Sequence, residues 1–349
     1  MKKSILKLAV FLAVFVLAFF IVGKIMNKDH DNLTMDLAPA SLPVVSMMLD
    51  GREYNHLHGY TQAVDVAFER DTVTILGESR DTDFVIDTYG REIQEVSIEV
   101  RSADGSRLIE NTVLSGLSRT GNIIQGTVAL KDLIEKATDY SLCFVLQMDE
   151  GEKACYYTRV IWSEGLHVSE KLEYVTDFHE RLYDKEAAKE LTKYLETNSR
   201  LEDNSSFHKV NIHSSFKQIT WGDLPVQEIS APVVSLTELA SQTASFLMDY
   251  VVSTTEGKKT VYYLVEEHYR VRYTTDRMYL LDYERTMTQV PEAGQIYAND
   301  KLLLGITGTD IPMVESEDGN TVVFEVANRL FSYEATENKL IVIFSFYDE

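Results

Sequence analysis

The chain begins with an apolar segment that is long enough to cross a membrane. Residues 5–22 carry one charge, Lys7, and are otherwise uniformly apolar. At about 1.5 Å per helical residue such a run spans roughly 27 Å, close to the thickness of a bilayer's hydrocarbon core. The sequence therefore predicts that residues 1–28 form a cytoplasmic tip and one transmembrane signal-anchor helix, followed by a large domain on one side of the membrane.

Two other interpretations of this segment stay open, a cleaved signal peptide and a buried core helix. A cleavage site needs small residues after the apolar core, and Phe19 and Phe20 suit a peptidase poorly. Lysines flank the run on both sides, at Lys2, Lys3 and Lys7 before it and at Lys24 and Lys28 after it. The positive-inside rule then favours a cytoplasmic N-terminus and an extracytoplasmic domain.

The charge of the remaining chain excludes one class of partner. The first 28 residues hold five Lys and no acid, so residues 29–349 carry 28 Lys and Arg against 55 Asp and Glu, a formal charge of −27. A domain this acidic repels phosphate backbones, so we expect no nucleic-acid partner. The acidic surface either keeps the protein soluble or attracts cations and basic partners.

Strand signals dominate residues 44–165, after a polar, proline-punctuated stalk over 29–43. Residues 93–101 alternate apolar and polar side chains, and a turn at 103–106 leads into a returning strand. About seven such strands predict an antiparallel β-sandwich.

One short stretch carries a family resemblance. In residues 133–144, Leu133, Thr138 and Tyr140 precede an alternating strand. This pattern resembles the loop-to-strand corner of fibronectin type III and immunoglobulin-like domains. The resemblance implies that the Tyr140 ring packs into the sandwich edge while its hydroxyl bonds back to the loop. It implies a fold and a general binding or spacer role, with no activity.

The two cysteines, Cys143 and Cys155, lie on the two arms of a hairpin predicted to turn at 149–152. A turn centred there places Cys143 opposite residue 158, three positions out of register with Cys155. The thiols then lie on opposite faces, or diagonally if the loop is one residue longer. We expect them to remain unbridged.

Residues 169–198 change to helical spacing, which predicts a helical hairpin or a kinked helix. Asp184 is the expected N-cap of its second half. Residues 205–349 then form a predicted β-meander or partial propeller. Its signals are a faint repeat whose units start at Thr260 and Thr321, and a last strand, 340–347, that is apolar on both faces. Within this region, a capping-box pattern at Ser235 and Glu238 predicts a helix starting at Leu236 as an alternative to a strand.

That last strand should be central or covered. Since it closes the sequence, we expect a C-terminal extension, an oligomer or a partner strand beside it.

The sequence presents few candidates for a chemical site. His56 and His58 have metal-ligand spacing if they lie on one extended strand, but a third ligand is not evident, so a metal site there is a weak hypothesis. A set of tyrosines on the predicted meander suits either core packing or ligand binding: Tyr262, Tyr263, Tyr269, Tyr273, Tyr279 and Tyr283. Phosphate-binding loops, nucleophile elbows and metalloprotease helices do not occur, and the sequence predicts no cofactor.

These features predict a membrane-anchored, extracytoplasmic β-rich binding or scaffold protein. A membrane-tethered cell-envelope enzyme of the glycan hydrolase type is the main alternative, and an accessory regulator of a membrane sensor is another. An aromatic-lined cleft with two carboxylates would favour the hydrolase.

Overall fold

The computed structural model describes residues 42–290 and 312–345, apart from 68–70, 132, 199, 201–205, 258, 327–328 and 337–338, together with 7, 12, 297–298 and 301–302. Apart from residues 7 and 12, the predicted anchor at 5–22 lies outside this description, as does the stalk up to residue 41. None of the helices in the described part is long and apolar enough to cross a membrane.

The protein is mainly β. Eleven strands precede the helical segment: β1 (Val44–Leu49), β2 (Arg52–Leu57), β3 (Gly59–Tyr60), β4 (Val73–Leu76), β5 (Asp81–Asp87), β6 (Ile93–Ser102), β7 (Leu108–Val113), β8 (Ser118–Thr120), β9 (Ile123–Ala129), β10 (Asp139–Met148) and β11 (Lys153–Trp162). Twelve follow it in the described residues: β12 (Lys209–Asn211), β13 (Gln227–Glu228), β14 (Val233–Leu239), β15 (Thr243–Glu256), β16 (Lys259–Tyr273), β17 (Met278–Gln289), β18 (Tyr297–Ala298), β19 (Lys301–Leu302), β20 (Met313–Glu315), β21 (Thr321–Val326), β22 (Arg329–Glu334) and β23 (Lys339–Ser345).

The first eleven strands form two sheets that pack face to face. One has the order β2-β1-β5-β9-β8, and the other has the order β3-β11-β10-β6-β7. Phe84 of the first and Phe144 of the second meet with ring centroids 5.0 Å apart, and both belong to one buried core. This arrangement is sandwich-like. It departs from the antiparallel expectation at one place, because β4 pairs with β11 in parallel.

The corner at Tyr140 has the contacts expected of it. The ring is 4% exposed, and its hydroxyl oxygen accepts a hydrogen bond of 3.0 Å from the backbone N–H of Glu135. Because donor and acceptor are five residues apart, this corner depends on local sequence alone.

The hairpin of β10 and β11 has a register one residue away from the expected one. Cys143 pairs with Tyr157, and Cys155 pairs with Val145. The two cysteines are therefore diagonal neighbours on one face of the sheet, and the opposite-face interpretation is wrong. Both are free thiols.

Two short helical pieces follow the first main helix. The main helix is α1 (Val168–Arg181), followed by α2 (Lys185–Ala188) and a 3-10 helix at Lys189–Tyr194. The Asp184 side chain caps α2 as expected, since it accepts hydrogen bonds from the backbone N–H groups of Glu186 and Ala187. A further single turn, α3 (Phe216–Ile219), precedes the third sheet.

The third sheet is a meander of three long strands, β15, β16 and β17, with β12 at one edge and β13 and β14 at the other. The helix considered at Ser235 is wrong, because 233–239 form strand β14. The inward side chains Val234 and Leu236 give this segment the period of a strand.

Strands β20 to β23 form a separate four-stranded sheet. The two repeat units thus belong to meanders in different open sheets, and the described strands show no closed propeller ring.

The sandwich and the third sheet share a continuous core. Asn55 joins them: its side-chain amide donates to Val73 O at 2.8 Å, and its Oδ1 accepts from the Leu236 N–H at 2.7 Å. Helix α1 packs where these two parts meet, which places its C-terminal half beside strands from both.

Candidate functional site

The site begins with the amphipathic pattern of helix α1. Val168, Leu172, Val175 and Phe178 are spaced three or four residues apart and are all buried. His179 follows Phe178 near the C-terminal end of this buried face and is 2% exposed. The same pattern that makes the helix therefore carries an imidazole into the protein interior.

A buried lysine fixes the other end of the helix. The Lys171 ammonium donates to the carbonyl oxygens of Leu166 at 2.7 Å and Ala240 at 3.1 Å, with Ser241 O and Thr243 O both at 3.4 Å. Burial lowers the pKa of Lys171 to about 8. These contacts attach α1 to the turn between β14 and β15, which holds His179 at a fixed depth.

Glu267 lies at the centre of the site, on an inward position of β16 between Val265 and Tyr269. Its side chain is fully buried. Oε2 accepts from Tyr269 Oη at 2.7 Å, and Oε1 accepts from Tyr250 Oη and Tyr283 Oη, both at 3.0 Å. A buried carboxylate needs such donors, because transfer of the charge from water is otherwise very costly.

His179 links this carboxylate to a second one. Nδ1 lies 2.8 Å from Glu267 Oε2, and Nε2 lies 3.0 Å from Oε2 of Glu228 on β13. An ionised carboxylate only accepts hydrogen bonds, so both ring nitrogens must donate, and the ring is an imidazolium cation.

The pKa shifts agree with this geometry. Burial alone would lower the pKa of His179, but the hydrogen bonds and charges of Glu267 and Glu228 outweigh it and the pKa is raised. Burial would raise the pKa of Glu267, but His179 and Arg285 outweigh it and the pKa is lowered. Both shifts favour the charged forms of the two groups in the folded protein.

Arg285 supplies a second buried cation. Its guanidinium donates to the carbonyl oxygens of Ile219 and Gln218, both at 2.9 Å, and lies 4.0 Å from Glu267 Oε1. The indole ring of Trp221 covers it, with 3.5 Å from the guanidinium carbon to the ring centroid. Two cations thus face two carboxylates, one of which, Glu228, reaches the surface.

A cleft of about 400 Å³ opens at this surface, between α1, β2 and the strands β14 and β15. We call it the helix–sheet cleft. Its charged and polar lining consists of Arg52, Glu53, Thr176, His179, Glu180, Tyr183 and Glu228, and its apolar lining consists of Leu172, Pro232, Val234 and Met248. Three glutamates thus outnumber the two cations of the lining, Arg52 and the His179 imidazolium, and Glu228 connects the cleft to the buried ion cluster.

The predicted metal candidates lie near this cleft. His56 is on β2 with Nε2 3.5 Å from Glu53 Oε2, while His58 follows the end of β2 and is exposed. Asn55, with φ of 51°, interrupts the regular strand just before them. The described residues contain no group of three or more His, Cys, Asp or Glu side chains placed to hold a metal ion.

The tyrosines of the meander divide between core and surface. Tyr269 and Tyr283 are buried and bind Glu267, whereas Tyr262 is 45% exposed. Tyr263, Tyr273 and Tyr279 lie between these extremes. Sequence reasoning missed His179, Glu267 and Arg285. The available signal was Glu267 itself, a charge at an inward position of an alternating strand.

Comparison with known proteins adds no name to this site. No protein-family model matches the chain, and a search of curated proteins found no match.

Proposed function

We propose that this is a membrane-anchored, extracytoplasmic binding protein whose helix–sheet cleft takes an organic cation with an apolar body. Residues 5–22 supply the anchor, and a sandwich of the fibronectin or immunoglobulin type over 44–165 supports the cleft. The ligand is an ammonium or guanidinium group, free or on a peptide side chain.

The charge of the cleft is the observation that carries this proposal. Glu53, Glu180 and Glu228 line it with two cations, Arg52 and the imidazolium of His179, so the lining carries a net charge of −1. In a concave site with low-dielectric walls, like charges focus the potential and attract the opposite charge. The proton on His179 is already shared by two carboxylates, so it does not attract an anion strongly.

The apolar side of the cleft favours an organic cation over a hydrated metal ion. Leu172, Val234 and Met248 form a wall beside the carboxylates. Burying a hydrocarbon body against such a wall is worth about 25 cal/mol per Å². A ligand with a cationic head and an apolar body uses both surfaces.

One observation favours binding over glycan hydrolysis. Tyr183 is the one aromatic group among the lining residues, whereas sugar-binding clefts stack the sugar rings on aromatic side chains.

Benzylamine tests the proposal, with benzyl alcohol as its neutral counterpart. We expect benzylamine to bind the full-length, detergent-solubilised protein and benzyl alcohol to bind far more weakly, as measured by calorimetry. Glu180→Gln should weaken benzylamine binding by roughly three- to fivefold, the range of a partly exposed charge contact. Glu190→Gln is the matched control, because Glu190 is exposed on the 3-10 helix away from the cleft.

Equal affinity for the amine and the alcohol would contradict the proposal. So would an equal loss in Glu180→Gln and Glu190→Gln, since that result would place the effect in overall charge rather than in the cleft.

A further inference from the structure

The two ring protons of the His179 imidazolium have different surroundings. His179 and Glu228 both line the helix–sheet cleft. Nε2 lies 3.0 Å from Oε2 of Glu228, whose side chain is 34% exposed. Nδ1 lies 2.8 Å from Oε2 of Glu267, whose side chain is fully buried. One proton therefore faces the cleft and the other faces the core.

The charged and titratable side chains around this ring come from its own helix and from the strands beside it. They are Glu180 on α1, Tyr183 just after it, Arg52 and Glu53 on β2, Glu228 on β13, Tyr250 on β15, Glu267 and Tyr269 on β16, and Tyr283 and Arg285 on β17. Burial raises the pKa of Tyr183 and Tyr250, the tyrosines in ring contact with His179, so both keep their protons. Between about pH 5 and pH 8, an imidazole is the side chain that ordinarily changes its charge.

The cleft-facing proton is the one that the ring gives up first. A neutral imidazole keeps a single N–H, and the hydrogen bonds of the ring determine which nitrogen keeps it. Loss of the Nδ1 proton would take a donor from Glu267, a carboxylate that water does not reach. Loss of the Nε2 proton takes a donor from Glu228, which is partly exposed and can bond to water instead.

An organic cation in the cleft competes with this proton for Glu228. While the proton is present, the imidazolium neutralises that carboxylate and repels a second cation beside it. Once the proton has left, the net charge of the lining changes from −1 to −2, since three glutamates then face Arg52 alone. Burial lowers the pKa of His179, and its two carboxylate partners raise it more. A cation beside Glu228 cancels part of that second effect, so the cation and the proton oppose each other.

We propose that the helix–sheet cleft binds its organic cation in exchange for the Nε2 proton of His179. This inference rests on the function proposed above and adds the regulation of the same site. The cation enters beside Glu228, the N–H bond at Nε2 breaks, its electron pair stays on the nitrogen, and the proton passes to water. Because such coupling is reciprocal, a higher pH strengthens binding of the cation, and the bound cation favours loss of the proton.

Benzyltrimethylammonium tests the exchange, because its charge is permanent and any proton released comes from the protein. Calorimetry of the full-length, detergent-solubilised chain in buffers of different ionisation enthalpy counts the protons released per cation bound. We expect the affinity to rise by roughly fivefold or more from about pH 6 to pH 9, with protons released where the rise is steepest. His179→Asn has no such proton, so its affinity should stay constant over this range.

His56→Asn is the matched control, because His56 Nε2 lies 3.5 Å from Glu53 of the same cleft. Burial lowers the pKa of His56, whereas that of His179 is raised, so the two histidines titrate in different ranges. This variant should keep both the proton release and the dependence of affinity on pH. Loss of either in His56→Asn would overturn the assignment to His179.

The possible failures of the exchange and of the proposed function give different results. Binding with one affinity at every pH and without proton release would overturn the exchange and leave the proposed function standing. A chain that binds no benzyltrimethylammonium at any pH would overturn both.

Circular dichroism establishes whether His179→Asn folds. If it does not, NMR of the histidine ring nitrogens in the native chain replaces it. Benzyltrimethylammonium should lower the pH midpoint of the His179 signal and leave that of the exposed His58 unchanged. An unchanged midpoint for His179 with the cation bound would overturn the exchange.

Discussion

At the scale of single residues, His179 and Glu267 make the stability of the folded protein depend on pH. Their contributions change with pH in opposite directions. The pKa of His179 is raised from 6.5, so its contribution is full below that value and is lost as the pH rises through the higher folded pKa. The pKa of Glu267 is lowered from 4.5, so its contribution is full above that value and is lost as the pH falls through the lower folded pKa. The cluster is therefore most stabilising between these limits.

We predict that His179→Asn lowers the free energy of unfolding by about 3 kcal/mol near pH 6, because it removes the closer of the two cations that face the buried Glu267 carboxylate. The difference from the native chain should shrink as the pH rises through the raised pKa of His179, since the native imidazolium is then lost as well. Urea unfolding at several pH values measures this. His58→Asn, at an exposed histidine, is the control. A penalty that stays constant with pH would show that His179 acts through packing rather than through its charge.

Local residue interactions were predictable from the sequence and distant ones were not. The Asp184 cap and the Tyr140 corner each join atoms within five residues, so the sequence window that contains them also specifies them. His179 and Glu267 are 88 residues apart and meet only once α1 has packed on the third sheet. The metal hypothesis rested on His56 and His58, and the described residues place no group of three possible ligands together.

At the scale of secondary-structure elements, the side chain of Asp184 caps the N-terminus of α2, just after α1 has ended. The Asp184 carboxylate binds two N–H groups that the short helix cannot satisfy itself. We predict that Asp184→Ala lowers the free energy of unfolding by about 1 kcal/mol and that Asp184→Asn, which keeps the acceptor, loses much less. Chemical denaturation of both variants measures this. Equal losses would assign the effect to charge rather than to the cap.

The positions of the strands could be predicted from the alternation of apolar and polar residues, but the pairing of the strands could not. The hairpin of β10 and β11 was predicted to within one residue, and that one residue determines which face each cysteine occupies. The parallel pairing of β4 with β11 joins segments 86 residues apart, as in Arg159 with Val73, and no local pattern indicates it. The Ser235 capping box was overridden because Val234 and Leu236 are needed in the core.

At the scale of the whole molecule, the anchor that we propose at residues 5–22 would determine on which side of the membrane the helix–sheet cleft lies. We predict that residues 5–22 are retained and that the bulk of the chain lies outside the cytoplasm. Protease treatment of intact cells, or of spheroplasts where an outer membrane is present, should digest the domain while a cytoplasmic marker survives. A mature N-terminus sequenced near residue 28 would refute retention, and protection of the domain until the cells are lysed would refute the orientation.

Strand β23 lies at one end of the four-stranded sheet in the part of the chain that the structure describes. β23 pairs with β22, and the described residues place no strand on its other side. Leu340, Ile341, Val342, Ile343 and Phe344 are each 43–53% exposed, although their side chains alternate between the two faces. An apolar strand with one free edge is a template for another strand.

We predict that this edge makes the protein self-associate. Pairing two copies of β23 antiparallel about Val342 would set Leu340 opposite Phe344 and Ile341 opposite Ile343, so apolar groups meet along the whole edge. Sedimentation should show a concentration-dependent dimer in the native chain, and Val342→Lys should shift it to monomer, since a charged edge residue opposes strand pairing. Glu325→Lys, on the inner strand β21 of the same sheet, is the control for added charge and should leave the dimer intact. A native chain that stays monomeric across the concentration range, with the same profile as Val342→Lys, would show that the edge does not pair with a second copy.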